Sequence, residues 1–113
     1  MWPKIWIQTN PGNQTLLQKW QGSVAEPWAY SVSHSQFLLR LHRNSQESLF
    51  VWCKGCSQVS FQEHWTSANL SVSGESDQEL KVIDDPHLSI ICSAAYVAET
   101  DEYNITFPMP NGL

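Results

Sequence analysis

The chain has 113 residues and a mass of 12.9 kDa, a length that predicts a single domain spanning residues 1–113. Charged residues make up 15% of it and aromatic residues 12%, a composition that excludes an intrinsically disordered chain. The formal net charge is −5, and no stretch is apolar over the roughly 18 residues of a membrane span. We therefore expect a soluble domain with a hydrophobic core and no membrane association.

The charge is divided unevenly along the sequence. Residues 1–54 carry five basic and two acidic side chains, whereas residues 55–113 carry one basic and nine acidic ones. Nucleic-acid binding draws most of its affinity from clustered Lys and Arg, and the sequence has no such cluster. We expect no nucleic-acid partner.

The three cysteines are an odd number, which argues against a disulfide framework. Met1–Gly12 contains no apolar block of the kind that a secretory signal needs, so we expect a cytoplasmic protein with free thiols. Three triplets that fit the N-glycosylation pattern favour secretion as the minority interpretation; they begin at Asn13, Asn69 and Asn104.

The N-terminal part predicts one strand and one helix. Ile5–Ile7 is a short apolar run, which suits a strand. Leu16, Leu17 and Trp20 share one face of a helix predicted over residues 14–21. We expect Asn13 to cap its N-terminus.

The following apolar residues alternate with polar ones, which is the period of a strand with one buried face. The step from Val32 to Phe37 breaks the alternation, so we expect a bulge or a turn at Ser33–Gln36. Leu49–Cys53 is apolar on both faces, as is typical of a central strand that is covered on both sides.

The second half of the chain predicts several more short strands. They are Leu70–Val72, Leu80–Ile83, a long strand Leu88–Tyr96 with its even-numbered residues on one face, and Tyr103–Phe107. Short strands separated by turns predict a mainly β fold, namely an antiparallel β-sandwich or open barrel with one short N-terminal helix. An α+β fold is the alternative, and it needs a second helix that the sequence does not show.

Cys53 and Cys56 form a CxxC pair, whose sulfurs can converge if the chain turns at the intervening Lys-Gly. A tetrahedral zinc ion needs two further ligands, for which His64 and Cys92 (or His42) are the candidates. A second short-spaced ligand pair is missing, so we expect neither a metal nor another cofactor, and a small zinc-binding domain is an alternative function.

The sequence shows no motif for nucleophilic catalysis and no glycine-rich phosphate loop. Asp84 and Asp85 stand close to His87, which is a possible acid–base group. A turn in which Asp precedes Pro explains the same residues without chemistry. We expect that the protein is not an enzyme.

The function that the sequence favours is a protein-binding module of adaptor or inhibitor type. Surplus tryptophans resemble the anchors that dominate interface energies, and acidic turns can steer a basic partner. The predicted partner-binding residues are Trp28, Trp65, Asp84, Asp85, Asp101 and Glu102. Self-association is a further possibility, and a carbohydrate-binding module using exposed Trp is the alternative from another class.

Overall fold

The computed structural model describes residues 3, 5–44, 46–76 and 79–101. In chain order the elements are β1 (Ile7–Thr9), α1 (Thr15–Lys19), β2 (Val24–Ser31), β3 (Gln36–His42), β4 (Ser48–Lys54), β5 (Gln58–Phe61), β6 (Ser71–Ser76), β7 (Glu79–Asp84), β8 (Leu88–Cys92) and β9 (Ala94–Thr100). The prediction of a mainly β fold with one short N-terminal helix is confirmed. The strand predicted at Tyr103–Phe107 lies outside the described residues.

The strands form two antiparallel sheets. One has five strands in the order β1-β9-β4-β3-β2, and the other has four in the order β5-β8-β7-β6. Inward-facing side chains of both sheets join in one buried cluster, which includes Phe37 and Val51 of the larger sheet and Val82 and Ile90 of the smaller one. The main hydrophobic core therefore lies between the two sheets, as the antiparallel sandwich pattern predicts.

The expected irregularity between Val32 and Phe37 is a turn that joins β2 to β3. The Ser35 N–H donates to the Val32 carbonyl over 3.2 Å, and Ser35 has a φ of 53°. A second irregularity, a register shift between Pro27 and Ala29, has no counterpart in the sequence prediction. It falls at a proline, which has no backbone N–H to give to the ladder.

The predicted long strand Leu88–Tyr96 is two strands in different sheets, β8 and β9, separated by Ser93. This one residue changes the phase of the alternation, so that Cys92 and Ala95 both face the main core while Tyr96 lies on the outer face of the larger sheet. The prediction that Tyr96 shares a face with Cys92 was wrong, because the period of two holds only within one uninterrupted strand.

The expectation that β4 is covered on both sides is confirmed. Leu38, Phe50 and Trp52 form a second buried cluster, against which Trp6, Trp28, Ala29 and Tyr96 pack. Phe50 has no exposed surface even though it faces away from the main core. The outer face of the larger sheet therefore carries a second apolar cluster, beside polar side chains such as Gln36 and Arg40.

Helix α1 is shorter than predicted and is not capped as predicted. Its N-cap residue is Gln14, which makes no capping side-chain bond, whereas the Asn13 amide donates to the Gln8 carbonyl over 3.0 Å. The helix is held by packing instead, because Leu17 and Trp20 are buried in the main core. Among the described residues, no helix combines the length and the apolar character needed to cross a bilayer.

Candidate functional site

Trp65 and Asp84, two of the predicted partner-binding residues, bond to each other in the interior. Trp65 is 4% exposed and Asp84 is 6% exposed. The Trp65 indole N–H donates to Asp84 Oδ2 over 2.7 Å, and the Asn69 backbone N–H donates to the same oxygen over 2.9 Å. A direct contact between a partner and either side chain would therefore require this segment to open.

The Asp84 carboxylate also holds in place the loop that joins β5 to β6. Trp65 and Ala25 of β2 exchange two backbone hydrogen bonds of 2.8 and 2.9 Å, so the loop covers the first half of the β2 edge. The His87 ring stacks on the Trp65 ring at 5.4 Å, and its Nδ1 lies 2.7 Å from Gln62 Oε1. The Asp84–His87 pair is thus part of a turn that fixes the loop, which agrees with the turn interpretation of these residues.

Three of the other predicted partner-binding residues lie in different elements of the described structure. Trp28 is half-buried on the outer face of the larger sheet, with the Arg40 guanidinium 5.2 Å above its ring and Phe50 at 5.8 Å. Asp85 is exposed in the turn between β7 and β8, and Asp101 is exposed after β9. Glu102 lies outside the described residues. Binding at the exposed members of the predicted set stays a prediction.

The three cysteines come together at the C-terminal end of β4, near Lys54. Gly55 turns the chain there with a φ of +64°, as the CxxC geometry predicts. Cys53 and Cys92 are buried in the main core and Cys56 packs against it, with its Sγ 3.5 Å from the Cys53 carbonyl oxygen. All three are free thiols.

The thiols differ in acidity. A hydrogen bond with the Cys92 thiol, together with burial, raises the pKa of Cys53 well above its ordinary value. The same hydrogen bond lowers the pKa of Cys92, and burial of Cys92 only partly opposes it. Burial and the charge of Cys92 raise the pKa of Cys56 to about 12. His64, the proposed fourth ligand, is exposed on the loop after β5. Within the described part of the chain, no three His, Cys, Asp or Glu side chains are arranged to hold a metal ion.

Five large apolar side chains are exposed among the residues that the structure describes, and two of them touch. Ile5 and Ile7 belong to the N-terminal segment and β1, at one edge of the larger sheet, while Val32 is in the β2–β3 turn. Tyr30, 47% exposed, and Phe61, 40% exposed, have their ring centroids 6.2 Å apart at an interplanar angle of 86°. We call Tyr30 and Phe61 the aromatic patch.

The aromatic patch lies between one edge strand of each sheet. Phe61 belongs to β5, the edge strand of the smaller sheet, and Tyr30 belongs to β2, the edge strand of the larger one. Both rings also pack against buried Phe37, at 5.0 Å for Phe61 and 6.2 Å for Tyr30. The patch thus closes the core at this side while nearly half of each ring remains in contact with solvent.

Two exposed acidic residues lie near the end of β5 that carries Phe61. Glu63 follows Phe61 by two residues and is exposed. The Gln62 N–H donates to the His87 carbonyl over 3.0 Å, which brings the exposed Asp85 turn next to the end of β5. Sequence reasoning identified Asp85 but missed Phe61, because only the fold shows which apolar residue of an edge strand stays uncovered.

The chain was compared with known protein families, curated proteins and solved structures. No family model matches the chain, and neither a curated protein nor a solved structure shows significant similarity to it.

Proposed function

We propose that this domain is a protein-binding module that receives an extended segment of its partner along β5. The observation that carries the proposal is the half-exposed aromatic patch next to the open edge of that strand. The partner segment would place an apolar side chain on Tyr30 and Phe61 and a basic side chain near Glu63 and Asp85.

The patch has the chemistry of an interface anchor. Aromatic rings present a large apolar area that loses little rotamer freedom on binding, which is why they dominate interface energies. Tyr30 and Phe61 are already held against Phe37, so their rings are preorganised. Covering the exposed part of both rings would remove apolar surface from water without first ordering a loop.

The edge of β5 supplies the second element of the proposal. In the described part of the chain, β5 is paired with β8 on one side only. Edge strands that avoid pairing usually carry Pro, Lys or a bulge, whereas β5 has the sequence Gln-Val-Ser-Phe and a regular register with β8. Its outward backbone groups can therefore pair with an added strand, as in β-augmentation.

The acidic neighbours define the charge of the partner. Glu63 and Asp85 are both exposed beside the end of β5, and the protein carries a net charge of −5. A basic side chain on the partner gains attraction there and a long-range increase in association rate. A segment with Lys or Arg close to an apolar residue matches this surface, and an acidic segment does not.

Geometry favours a protein over a carbohydrate as the ligand. A sugar stacks on an aromatic face, and two rings make a platform when their planes are close to parallel. The rings of Tyr30 and Phe61 stand at 86° to each other, so they form a corner that suits a branched or aromatic side chain. Of the tryptophans considered for sugar stacking, Trp65 is buried.

The test is selection of random twelve-residue peptides displayed on phage against the immobilised domain. We expect the selected peptides to share an apolar residue near a Lys or Arg. Synthetic copies should bind more weakly to Phe61→Ser and to Tyr30→Ser by about 10-fold or more, the range of an anchor residue. N-methylation of alternate peptide backbone nitrogens should abolish binding, because an added strand needs its N–H groups.

The control is Ile7→Ser, which removes a comparable exposed apolar side chain, 46% exposed, from the opposite edge of the larger sheet. It should leave peptide affinity within about twofold. Equal loss in the Ile7 and Phe61 variants, or no peptide that distinguishes them, would refute the proposal. A glycan array that binds the wild type but not Tyr30→Ser would replace it with carbohydrate binding.

A further inference from the structure

Cys53 and Cys92 belong to different sheets, yet the residues that follow them in the chain are hydrogen-bonded to each other. The Ser93 N–H donates to the Lys54 carbonyl over 2.9 Å, which joins the residues that follow the two cysteines. Gly55 allows this approach, because a Cβ at that position would lie 2.4 Å from the Ser93 hydroxyl oxygen. Both cysteine side chains point into the main core, where they are 1% and 2% exposed.

We propose that Cys53 and Cys92 form an oxidisable pair, which closes a disulfide between the two sheets on reaction with a low-molecular-weight disulfide such as oxidised glutathione. The inference is independent of the proposed binding function. It concerns a chemical modification site in the core, and it assigns no role to the aromatic patch.

The third cysteine is placed differently. The Cys56 Sγ lies 3.5 Å from the Cys53 carbonyl oxygen, so this thiol bonds to backbone. Its own N–H donates to the Ser35 carbonyl over 2.8 Å, which ties this residue to the β2–β3 turn. The side chains of Cys53 and Cys92, in contrast, both lie in the main core, next to the bond between Ser93 and Lys54. The two cysteines that are buried next to this backbone contact are the ones expected to join.

The reaction is two successive thiol–disulfide exchanges. One protein thiolate attacks a glutathione sulfur, which breaks the glutathione disulfide, forms a mixed disulfide and releases one glutathione. The second protein thiolate then attacks the protein sulfur of the mixed disulfide and releases the second glutathione. Two electrons pass to the oxidant, and the two protons of the protein thiols end on the two glutathione molecules. The lowered pKa of Cys92 makes it the better nucleophile at neutral pH.

The bond would constrain a long part of the chain. It closes residues 53–92, a loop of about 40 residues, and such a loop raises the ratio of folded to unfolded protein by ~10²–10³-fold in the chain-entropy treatment. The link would tie the end of β4 in the larger sheet to the end of β8 in the smaller one. We therefore expect the oxidised protein to unfold at a higher denaturant concentration than the reduced protein.

Tryptic mapping distinguishes every possible pairing. Cleavage after Arg43, Lys54 and Lys81 places the three cysteines on separate peptides, 44–54, 55–81 and 82–113. The reduced chain is incubated folded with oxidised glutathione, and in parallel it is refolded from urea in a glutathione redox buffer. After free thiols are blocked with N-ethylmaleimide, we expect in both cases the loss of two hydrogens and a cross-link between peptides 44–54 and 82–113.

The variant Cys56→Ser should keep this cross-link, whereas Cys92→Ser should abolish it. Cys92→Ala serves as a second variant, and the far-UV circular dichroism of each protein shows whether it has folded. Three unmodified thiols in both incubations would overturn the proposal. A stable glutathione adduct on Cys56, or a cross-link that involves peptide 55–81, would overturn it as well.

Discussion

Removing the Asp84 carboxylate should destabilise the protein more than any exposed acidic substitution. Asp84 Oδ2 accepts one hydrogen bond from the buried Trp65 indole and another from the Asn69 backbone. Asp84→Ala leaves the Trp65 donor without a partner in the interior, which costs ~1–3 kcal/mol. The Asn69 residue is exposed, so water replaces part of its bond and its loss adds about 1 kcal/mol.

The expected total for Asp84→Ala is a decrease of about 2–4 kcal/mol in the free energy of unfolding. Asp84→Asn keeps one oxygen that can accept both bonds and loses only the charge, so it should cost about 1–2 kcal/mol. The neighbouring Asp85→Ala is the matched control, because Asp85 is exposed, and its effect should stay within about 0.5 kcal/mol. Urea unfolding followed by far-UV circular dichroism measures all three.

Trp65→Phe tests whether the loss arises from the indole bond. It removes the N–H donor and retains an aromatic ring beside His87. In the native protein the ring centroids of Trp65 and His87 are 5.4 Å apart. Combined with Asp84→Ala, it should cost less than the two single losses together, by about 1–2 kcal/mol, since both remove the same bond. Additive losses, or an Asp84→Ala effect no larger than that of Asp85→Ala, would refute the anchoring role of this carboxylate.

Two further predictions follow from local geometry and charge. Gly55→Ala should lower the free energy of unfolding by about 2–3 kcal/mol, because Gly55 has a φ of +64° and an added Cβ would clash with Ser93. Gly22 has a φ of +86°, but an added Cβ meets open space there, so Gly22→Ala should cost about 1 kcal/mol. Chemical denaturation measures both variants. Hydrogen bonds from Lys19 and Trp20 lower the pKa of Glu99, so Glu99→Gln should destabilise the protein by about 1 kcal/mol at pH 7. The stability difference between the native protein and Glu99→Gln should be complete at pH values above 4.5, the ordinary pKa of Glu99. It should vanish as the pH falls through the lowered pKa of Glu99 in the folded protein. A difference in urea midpoints that does not change with pH would contradict this prediction.

The mainly β architecture could be predicted because it depends on local patterns. The two-sided apolar run Leu49–Cys53 predicts a central strand, and β4 is indeed flanked by β3 and β9. The odd spacing between Val32 and Phe37 predicts the turn that joins β2 and β3. Each of these inferences needs only the residues of one strand or one turn, so tertiary contacts had little opportunity to override it.

The parts that could not be predicted depend on contacts between distant segments. No local pattern distinguishes an uninterrupted strand Leu88–Tyr96 from two strands that change sheets at Ser93, because one residue out of phase resembles a bulge. Trp65 resembles a loop tryptophan in sequence, yet it is buried because Asp84, 19 positions away, accepts its N–H. The half-exposed state of Phe61 likewise follows from its place in an edge strand.

The two sides of the larger sheet explain why six tryptophans did not predict a binding surface. In a sandwich with one solvated face, aromatic residues on the outer face of a sheet would be candidates for ligand contact. Here Phe50 and Trp52 on that face are buried within a second cluster, with Trp6, Trp28 and Tyr96 packed on them. Aromatic area at these positions already stabilises the folded chain, which leaves less of it for a partner. The proposed interface therefore rests on Tyr30 and Phe61, where the edges of both sheets carry aromatic surface that is exposed among the described residues.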